Sequence, residues 1–177
     1  MKSKKITTER LYLLPFTTEI AREVMDGQFT SLSKMGLNLA EGWPDQELIE
    51  CLPRVIMALE LVTAPTGFES WMIIDKERKT IVGDLGFKGG PDENGHVDLG
   101  YGILASERRK GYAVEAGRAL IKWAFKQPEV KVITAKCEHI NAASTKTLMQ
   151  LGFYQKFIKE EMVHWFLLRE PTKKIVG

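Results

Sequence analysis

The stretch HVDLGYGILASERRKGYAVEAG, His96 to Gly117, decides how the chain is read. Its first part, "HVDLGYGIL", has strand character and follows a dense turn signal. Its last part opens a helix at about Gly111 that runs to about Phe125, with Ala113, Ala116, Leu120 and Trp123 on one face. Between them stand Arg108, Arg109 and Lys110. A helix start already carries the positive end of the backbone dipole, so cations there are unfavourable unless an anion compensates. No Ser, Thr, Asp or Asn directly precedes Gly111, so no side chain is at hand to cap the first amides. A basic, glycine-containing loop running into an uncapped helix start suits a phosphate-bearing ligand. The alternative is a helix that begins at Ser106 and is capped by it. Arg108 to Lys110 would then form a solvated face, and Gly111 would sit inside the helix at a cost of about 1 kcal/mol. Physics alone leaves these two readings even. The loop carries neither the Gly-Lys-Ser/Thr of a P-loop nor a Gly-x-Gly-x-x-Gly.

Outward from this stretch the organisation is mixed. "ESWMIID", "TIVGDLGFKG" and "HVDLGYGIL" form an antiparallel meander from about Glu69 to Leu104, in which Gly83, Gly86, Gly100 and Gly102 mark bulges or close backbone approach. Towards the N-terminus, "RLYLLPF" is a strand ending at Pro15, and Thr17 or Thr18 caps a helix through Ile20, Val24 and Met25. Residues 27 to 44 are irregular. A further helix follows around Leu48, Leu52, Val55, Ile56 and Leu59, with Asp45 near its start and Pro53 as a kink. After the basic loop come the strand "VKVITAKCE", a helix opened by Asn141 with Leu148 and Leu151 on its face and Gly152 at its end, and strands at 153–158 and 163–168. Meander first and strand–helix alternation later predict a mixed α/β fold with one sheet and helices on its faces.

Composition narrows the function. The 177 residues carry a formal net charge of +2, too close to neutral to imply a nucleic-acid partner, and the basic patch lacks interleaved aromatics. Length and composition fit one globular domain over residues 1–177. Cys51 and Cys137 are too far apart in sequence for a metal-spaced pair, which leaves two reduced core thiols. Cys137 as a nucleophile would need a base, and His139 shares its strand face without necessarily touching it. Residues 11–16 are too short for a signal-peptide core, and no segment is long enough to span a membrane, so a cytoplasmic protein is expected.

Four features in order are similar to the GNAT superfamily of N-acetyltransferases, and specifically to its ribosomal-protein N-acetyltransferase (RimJ/RimL-like) subgroup. Arg108-x-x-Gly111-x-Ala113 resembles the superfamily's pyrophosphate signature, framed by the Gly-Tyr strand before it and Glu-Ala after it. "NAASTKTLMQLGF" (Asn141 to Phe153), "TERLYLLPFT" and Gly42–Pro44 resemble the subgroup. The resemblance covers nearly the whole chain and implies a central, mostly antiparallel twisted sheet with helices on both faces. It implies acetyl-CoA as co-substrate and no metal. Ile103 and Leu104 would offer backbone to the pantetheine arm. The amides of Arg109, Lys110, Gly111, Tyr112 and Ala113 would wrap the pyrophosphate, with charge from Arg108 and Arg109. Asn141 and Ser144 would lie beside the thioester.

The chemistry asks for a base that frees the amine, a donor for the developing oxyanion and a proton for the leaving thiolate, but for no covalent nucleophile. Ser144 is the candidate proton donor and Asp98 the candidate base, with His96 two residues back on the same face. Each has a plainer reading: Ser144 as a first-turn surface serine, Asp98 as an outward strand residue, Asn141 as an N-cap that does not exclude cofactor contact. Glu115 reads as a surface or packing position. Family members often carry a tyrosine four residues before the Gly of the Gly-Phe pair; here that position is Leu148, which leaves the acid to Ser144 or a water. Met35, Leu37, Trp43, Pro44 and the 62–71 region are candidates for the acceptor wall, or for plain core or dimer contact. No acidic run calls for a polycationic acceptor. The acceptor by subgroup resemblance is a protein N-terminal amine; a small-molecule amine and a CoA-binding regulatory module are the rival readings. No nucleic-acid or membrane partner is expected, and a homodimer is left open.

Overall fold

The computed structural model describes residues 4–170. Among them a nine-stranded sheet is the frame. In chain order the elements are β1 (Ile6–Thr7), β2 (Leu11–Pro15), α1 (Thr18–Met25), α2 (Thr30–Lys34), β3 (Asn38–Leu39), α3 (Gln46–Glu60), β4 (Ser70–Asp75), β5 (Thr80–Phe87), β6 (His96–Ile103), α4 (Tyr112–Ala124), β7 (Val132–Glu138), α5 (Ala142–Gln150), β8 (Tyr154–Lys159) and β9 (Met162–Leu168). The strand order is β1-β2-β4-β5-β6-β7-β9-β8, with β3 set against β5. All pairs are antiparallel except β3·β5 and β6·β7. The sheet is thus the single, mostly antiparallel one expected.

The strand alternation builds a core on each side. Leu85, Phe87, Val97 and Leu99 face α4, where they meet Ala116, Leu120 and Ala124. Met72, Ile74 and Ile81 face the other way, onto Leu48, Leu52, Val55 and Leu59 of α3 and Ile20 and Val24 of α1. Thr17 caps α1 through its hydroxyl and Asp45 caps α3 through Oδ1, which accepts from the Leu48 amide at 2.9 Å. α3 is continuous through Pro53, which is exposed.

Residues 27–44, expected to be irregular, hold α2 and β3. Both are too short to leave a periodic signal, and β3 exists because Asn38 and Leu39 pair with Thr80 and Ile81. The meander glycines divide into two kinds. A Cβ on Gly83 would lie 2.2 Å from the Gly102 carbonyl oxygen, and one on Gly86 would lie 2.6 Å from that of Glu69, so both allow close backbone approach. A Cβ on Gly100 or Gly102 would meet nothing within 4 Å. These two face open space.

One irregularity positions the site. β6 and β7 pair only from His96 to Leu99 against Val132 to Ala135. Beyond that, β6 stays with β5 as far as Ile103, and β7 stays with β9 as far as Glu138. The two strands form a fork, and the stem of β6 from Gly100 to Ile103 has no strand partner on its β7 side.

Candidate active site

Ile103 and Leu104 end the open arm of the fork, and the chain turns there into the basic loop. Ala105–Glu107 make a single 3-10 turn, and α4 starts only at Tyr112. Ser106 therefore caps no helix; its hydroxyl lies 3.5 Å from the Glu41 carbonyl. Gly111 is the N-cap, at φ 81°, and gives no side-chain hydrogen bond to the helix amides. Arg109 also has positive φ, 62°, while Lys110 between them does not. Alternating backbone sign curls successive N–H groups towards one point, as in an anion-binding nest. Of the two sequence readings, the open N-terminus is the one the backbone adopts.

The loop is braced by carboxylates. Glu107, with its side chain 7% exposed, accepts from Arg78 Nη1 at 2.9 Å and Nη2 at 2.8 Å, and from Lys110 Nζ at 2.8 Å. The Arg78 bonds, aided by Lys110, hold the Glu107 carboxyl down at about 2 against the cost of burial. The Lys110 ammonium is thereby committed to Glu107, and only its backbone faces the nest. Asp75 accepts from the Tyr112 hydroxyl at 2.6 Å and the Arg78 amide at 2.9 Å, so the Tyr112 ring also belongs to the brace.

Glu115, expected to be a surface or packing residue, is a second hub. It accepts from Thr8 Oγ1, from the Arg10 amide at 2.8 Å and from Arg10 Nε at 2.7 Å. Burial opposes its charge, but these bonds outweigh it and lower its pKa. Arg10 Nη1 also donates to the Lys110 carbonyl at 2.8 Å, and the guanidinium lies 5.0 Å from the Tyr112 ring centre. The N-terminal hairpin thus clamps the outer side of the loop. Arg108 turns back, its Nε donating to the Ile103 carbonyl at 3.0 Å. Arg109 is exposed, and its guanidinium has no bonded partner among the described residues. Ala113 lies in the first turn of α4, half-buried.

On the far arm of the fork Asn141 caps α5, its Oδ1 accepting from the Ser144 amide at 3.0 Å. The Ser144 carbonyl accepts from the Tyr101 hydroxyl at 3.3 Å. Tyr101 stands on the open part of β6, so its phenol bridges the fork beside Ser144. Burial raises its pKa. Leu148, at the position where the family often places a tyrosine, is 1% exposed in the core. The phenol that the fork does hold comes from the strand.

Asp98 lies at the closed end of the fork, opposite Thr134. Its Oδ2 accepts from Lys88 Nζ at 2.6 Å and its Oδ1 from Thr134 Oγ1 at 2.8 Å. Both oxygens of this residue, a candidate base or an outward strand residue by sequence, are engaged by neighbouring side chains. His96 packs edge-on to Phe166 at the same closed end. Trp71 of the expected acceptor wall is fully buried in the α4-side core, so it lines nothing. Trp43 is 6% exposed in the core under α3, and Met35 is exposed. Cys137 is buried and accepts from Trp165 Nε1 at 3.3 Å, while His139 falls beyond the end of β7.

A different acid faces the open side. Asp84 sits mid-β5, opposite Gly102 of β6 and Met72 of β4. Leu85 and Phe87 belong to the α4-side core, so Asp84 points to the α3 side. Its carboxylate has no hydrogen-bond partner among the described residues. Burial, with Asp45 and Glu47 at the start of α3 adding repulsion, pushes its pKa up to about 7. The only sequence signal was an acid inside an otherwise apolar, glycine-flanked strand, "IVGDLGF".

A forked sheet with a free strand edge leads into an uncapped helix start in a basic loop, an arrangement suited to an extended ligand that carries phosphate. The acetyltransferase (GNAT) domain profile matches residues 10–154. The uncharacterized N-acetyltransferase YjdG of Bacillus subtilis (strain 168) is 37% identical over 160 residues, covering 90% of this chain and 95% of that protein. The chain belongs to the GNAT acetyltransferases. A ribosomal alpha-N-protein acetyltransferase in complex with coenzyme A superposes with a TM-score of 0.65 at 14% identity, covering 93% of this chain and 98% of that one. A microcin self-immunity acetyltransferase in complex with acetyl-CoA and AMP gives 0.62 at 17% identity, covering 92% and 94%. Acetyl-CoA is the co-substrate of this family. Among the described residues no group of three or more His, Cys, Asp or Glu is placed to hold a metal, and no helix is long and apolar enough to cross a membrane.

Proposed function

We propose that this N-acetyltransferase transfers the acetyl group to the α-amine of a protein N-terminus, by direct attack within a ternary complex, and that residues 1–177 act as one domain. The carrying observation is the fork. A free strand edge from Gly100 to Ile103 can hydrogen-bond a pantetheine arm as an added strand would. The amides of Arg109 to Ala113 lie at its end for the pyrophosphate, with Arg109 free to pair with phosphate. Ser144 and Tyr101 stand where the thioester end of such an arm arrives, and either hydroxyl can donate to the departing sulfur. On the α3 side the space over Gly100 and Gly102 is open, which suits a chain end without demanding a closed pocket. The likeness in fold to a ribosomal alpha-N-protein acetyltransferase supports this acceptor class, and the likeness to a microcin self-immunity enzyme keeps the small-molecule amine as the rival.

The test is release of free CoA from acetyl-CoA with three acceptors. These are peptides with a free α-amine, the same peptides blocked at the N-terminus but containing lysine, and a panel of small amines. Turnover confined to the first set supports the proposal. Turnover confined to small amines overturns the acceptor, and no CoA release from any of them overturns catalysis in favour of a CoA-binding module.

A further inference from the structure

We propose that Asp84 is the catalytic base, the carboxylate that receives the acceptor ammonium beside the fork and takes its proton. The inference rests on the acetyl-transfer chemistry of the family and not on which amine is the natural acceptor.

On the α3 side of β5 and β6, Asp84 is opposite Gly102 and Gly86 is opposite Gly100. Side chains on one face of a strand recur every second residue, so these four positions share a face. Three are glycine. Asp84 is therefore the only side chain on that floor, and the space over Gly100 and Gly102 is open to at least 4 Å from where a Cβ would stand. The next pair along is Lys88 with Asp98, whose charges satisfy each other at 2.6 Å. At the other end, Asp45 and Glu47 of α3 bring negative charge, so the region favours an arriving cation. A carboxylate left unbonded on a nearly bare floor is costly to the fold, and it is found where a ligand completes it.

The spacing fits transfer. Adjacent strands lie about 4.8 Å apart, so a thioester arm laid on the free edge of β6 is about 10 Å from β5. An amine nitrogen about 3 Å from the thioester carbon and about 3 Å from a carboxylate oxygen spans most of that distance. The Asp side chain or one water spans the rest.

The protons balance. The acceptor enters as an ammonium and gives one proton to Asp84, which passes it to solvent. The freed nitrogen lone pair forms the bond to the acetyl carbon. The carbon–sulfur bond breaks, its electron pair stays on sulfur, and the second nitrogen proton ends on the CoA thiol. A carboxyl whose pKa lies near 7 accepts a proton and releases it at neutral pH with little penalty either way. The charged groups facing Asp84 are Asp45 and Glu47, both of which favour its protonated form; its strand neighbours Met72 and Gly102 carry no charge.

The experiment compares wild type with Asp84→Asn, using acetyl-CoA and two small nucleophiles at high concentration. Methylamine is charged at neutral pH and needs a base; hydroxylamine is already neutral. The open floor admits both. With methylamine at pH 7, Asp84→Asn loses about 100-fold in rate, regaining about tenfold per pH unit towards pH 9 as the free amine accumulates. With hydroxylamine the loss is under about tenfold. Acetyl-CoA protects both proteins equally against thermal unfolding. Equal losses with the two nucleophiles, no loss with methylamine, or a wild-type enzyme that accepts neither nucleophile overturns the assignment. Should Asp84→Asn fail to fold, Asp84→Ser carries the same comparison.

Discussion

Replacing Glu107 with glutamine removes one charge from the brace of the basic loop and leaves its shape. In the folded chain Glu107 titrates at about 2, against 4.5 for an unperturbed glutamate. A difference of that size corresponds to about 3 kcal/mol of stabilisation as an upper bound. Its partners Arg78 and Lys110 are 42% and 44% exposed, so solvent screens the pair and about 1–2 kcal/mol is the realistic figure. In a chain of this size that lowers Tm by about 2–8 °C at pH 7. The sign with pH follows from the depressed pKa. The carboxylate contributes fully above the unfolded value of 4.5 and loses its contribution as pH falls towards 2. Thermal melts of wild type and Glu107→Gln should differ by that amount at pH 7 and by less than half of it at pH 3. The variant should also raise KM for acetyl-CoA several-fold, because the nest is less well held. Equal Tm values at pH 7, or a difference that persists unchanged at pH 3, would refute the claim that this ion pair organises the loop.

Three further outcomes are expected. Gly111→Val places a branched side chain at φ 81° and 3.3 Å from Arg10 Nη2, so it should raise KM for acetyl-CoA about tenfold or more and cost about 1–3 kcal/mol of stability, read by kinetics and urea unfolding. If only stability falls, the loop does not bind the cofactor. At Gly102 an added Cβ would meet nothing within 4 Å, so Gly102→Val should hold Tm within a few degrees while acetyl transfer falls at least tenfold because the side chain fills the floor beside Asp84; unchanged activity would contradict an acceptor path on that face. Tyr101→Phe removes a hydroxyl that spans the fork to Ser144, and the double variant with Ser144→Ala should lower kcat more than either single change if the two donors share the proton for sulfur.

Much of the frame was legible in the sequence because its signals are local. The meander and the helices α1, α3, α4 and α5 follow from periodicity, with Thr17, Asp45 and Asn141 as the caps of α1, α3 and α5. The basic loop was visible as a conflict between cations and a helix dipole, and the backbone of Arg109 and Gly111 decides between the two sequence readings. What was illegible depends on contacts distant in sequence. Glu107 and Glu115 look like ordinary surface acids until Arg78, Thr8 and Arg10 are folded against them. Nothing local to Asp98 reveals that Lys88 and Thr134 take both of its oxygens. Asp84 could be noticed only as an acid in an apolar strand. Its place beside the open floor comes from glycines on β6, and its raised pKa comes first from burial and then from Asp45 and Glu47, some forty residues upstream in the chain. β3 exists only through β5.

The central claim is that the open amides at the start of α4 bind the pyrophosphate of acetyl-CoA. Backbone amide resonances of Arg109 to Ala113, followed by NMR as acetyl-CoA is added, test it most directly. These amides should move first and furthest, saturating together with the shifts of Gly100 to Ile103. Saturable acetyl-CoA binding that leaves the amides of Arg109 to Ala113 in place would contradict it.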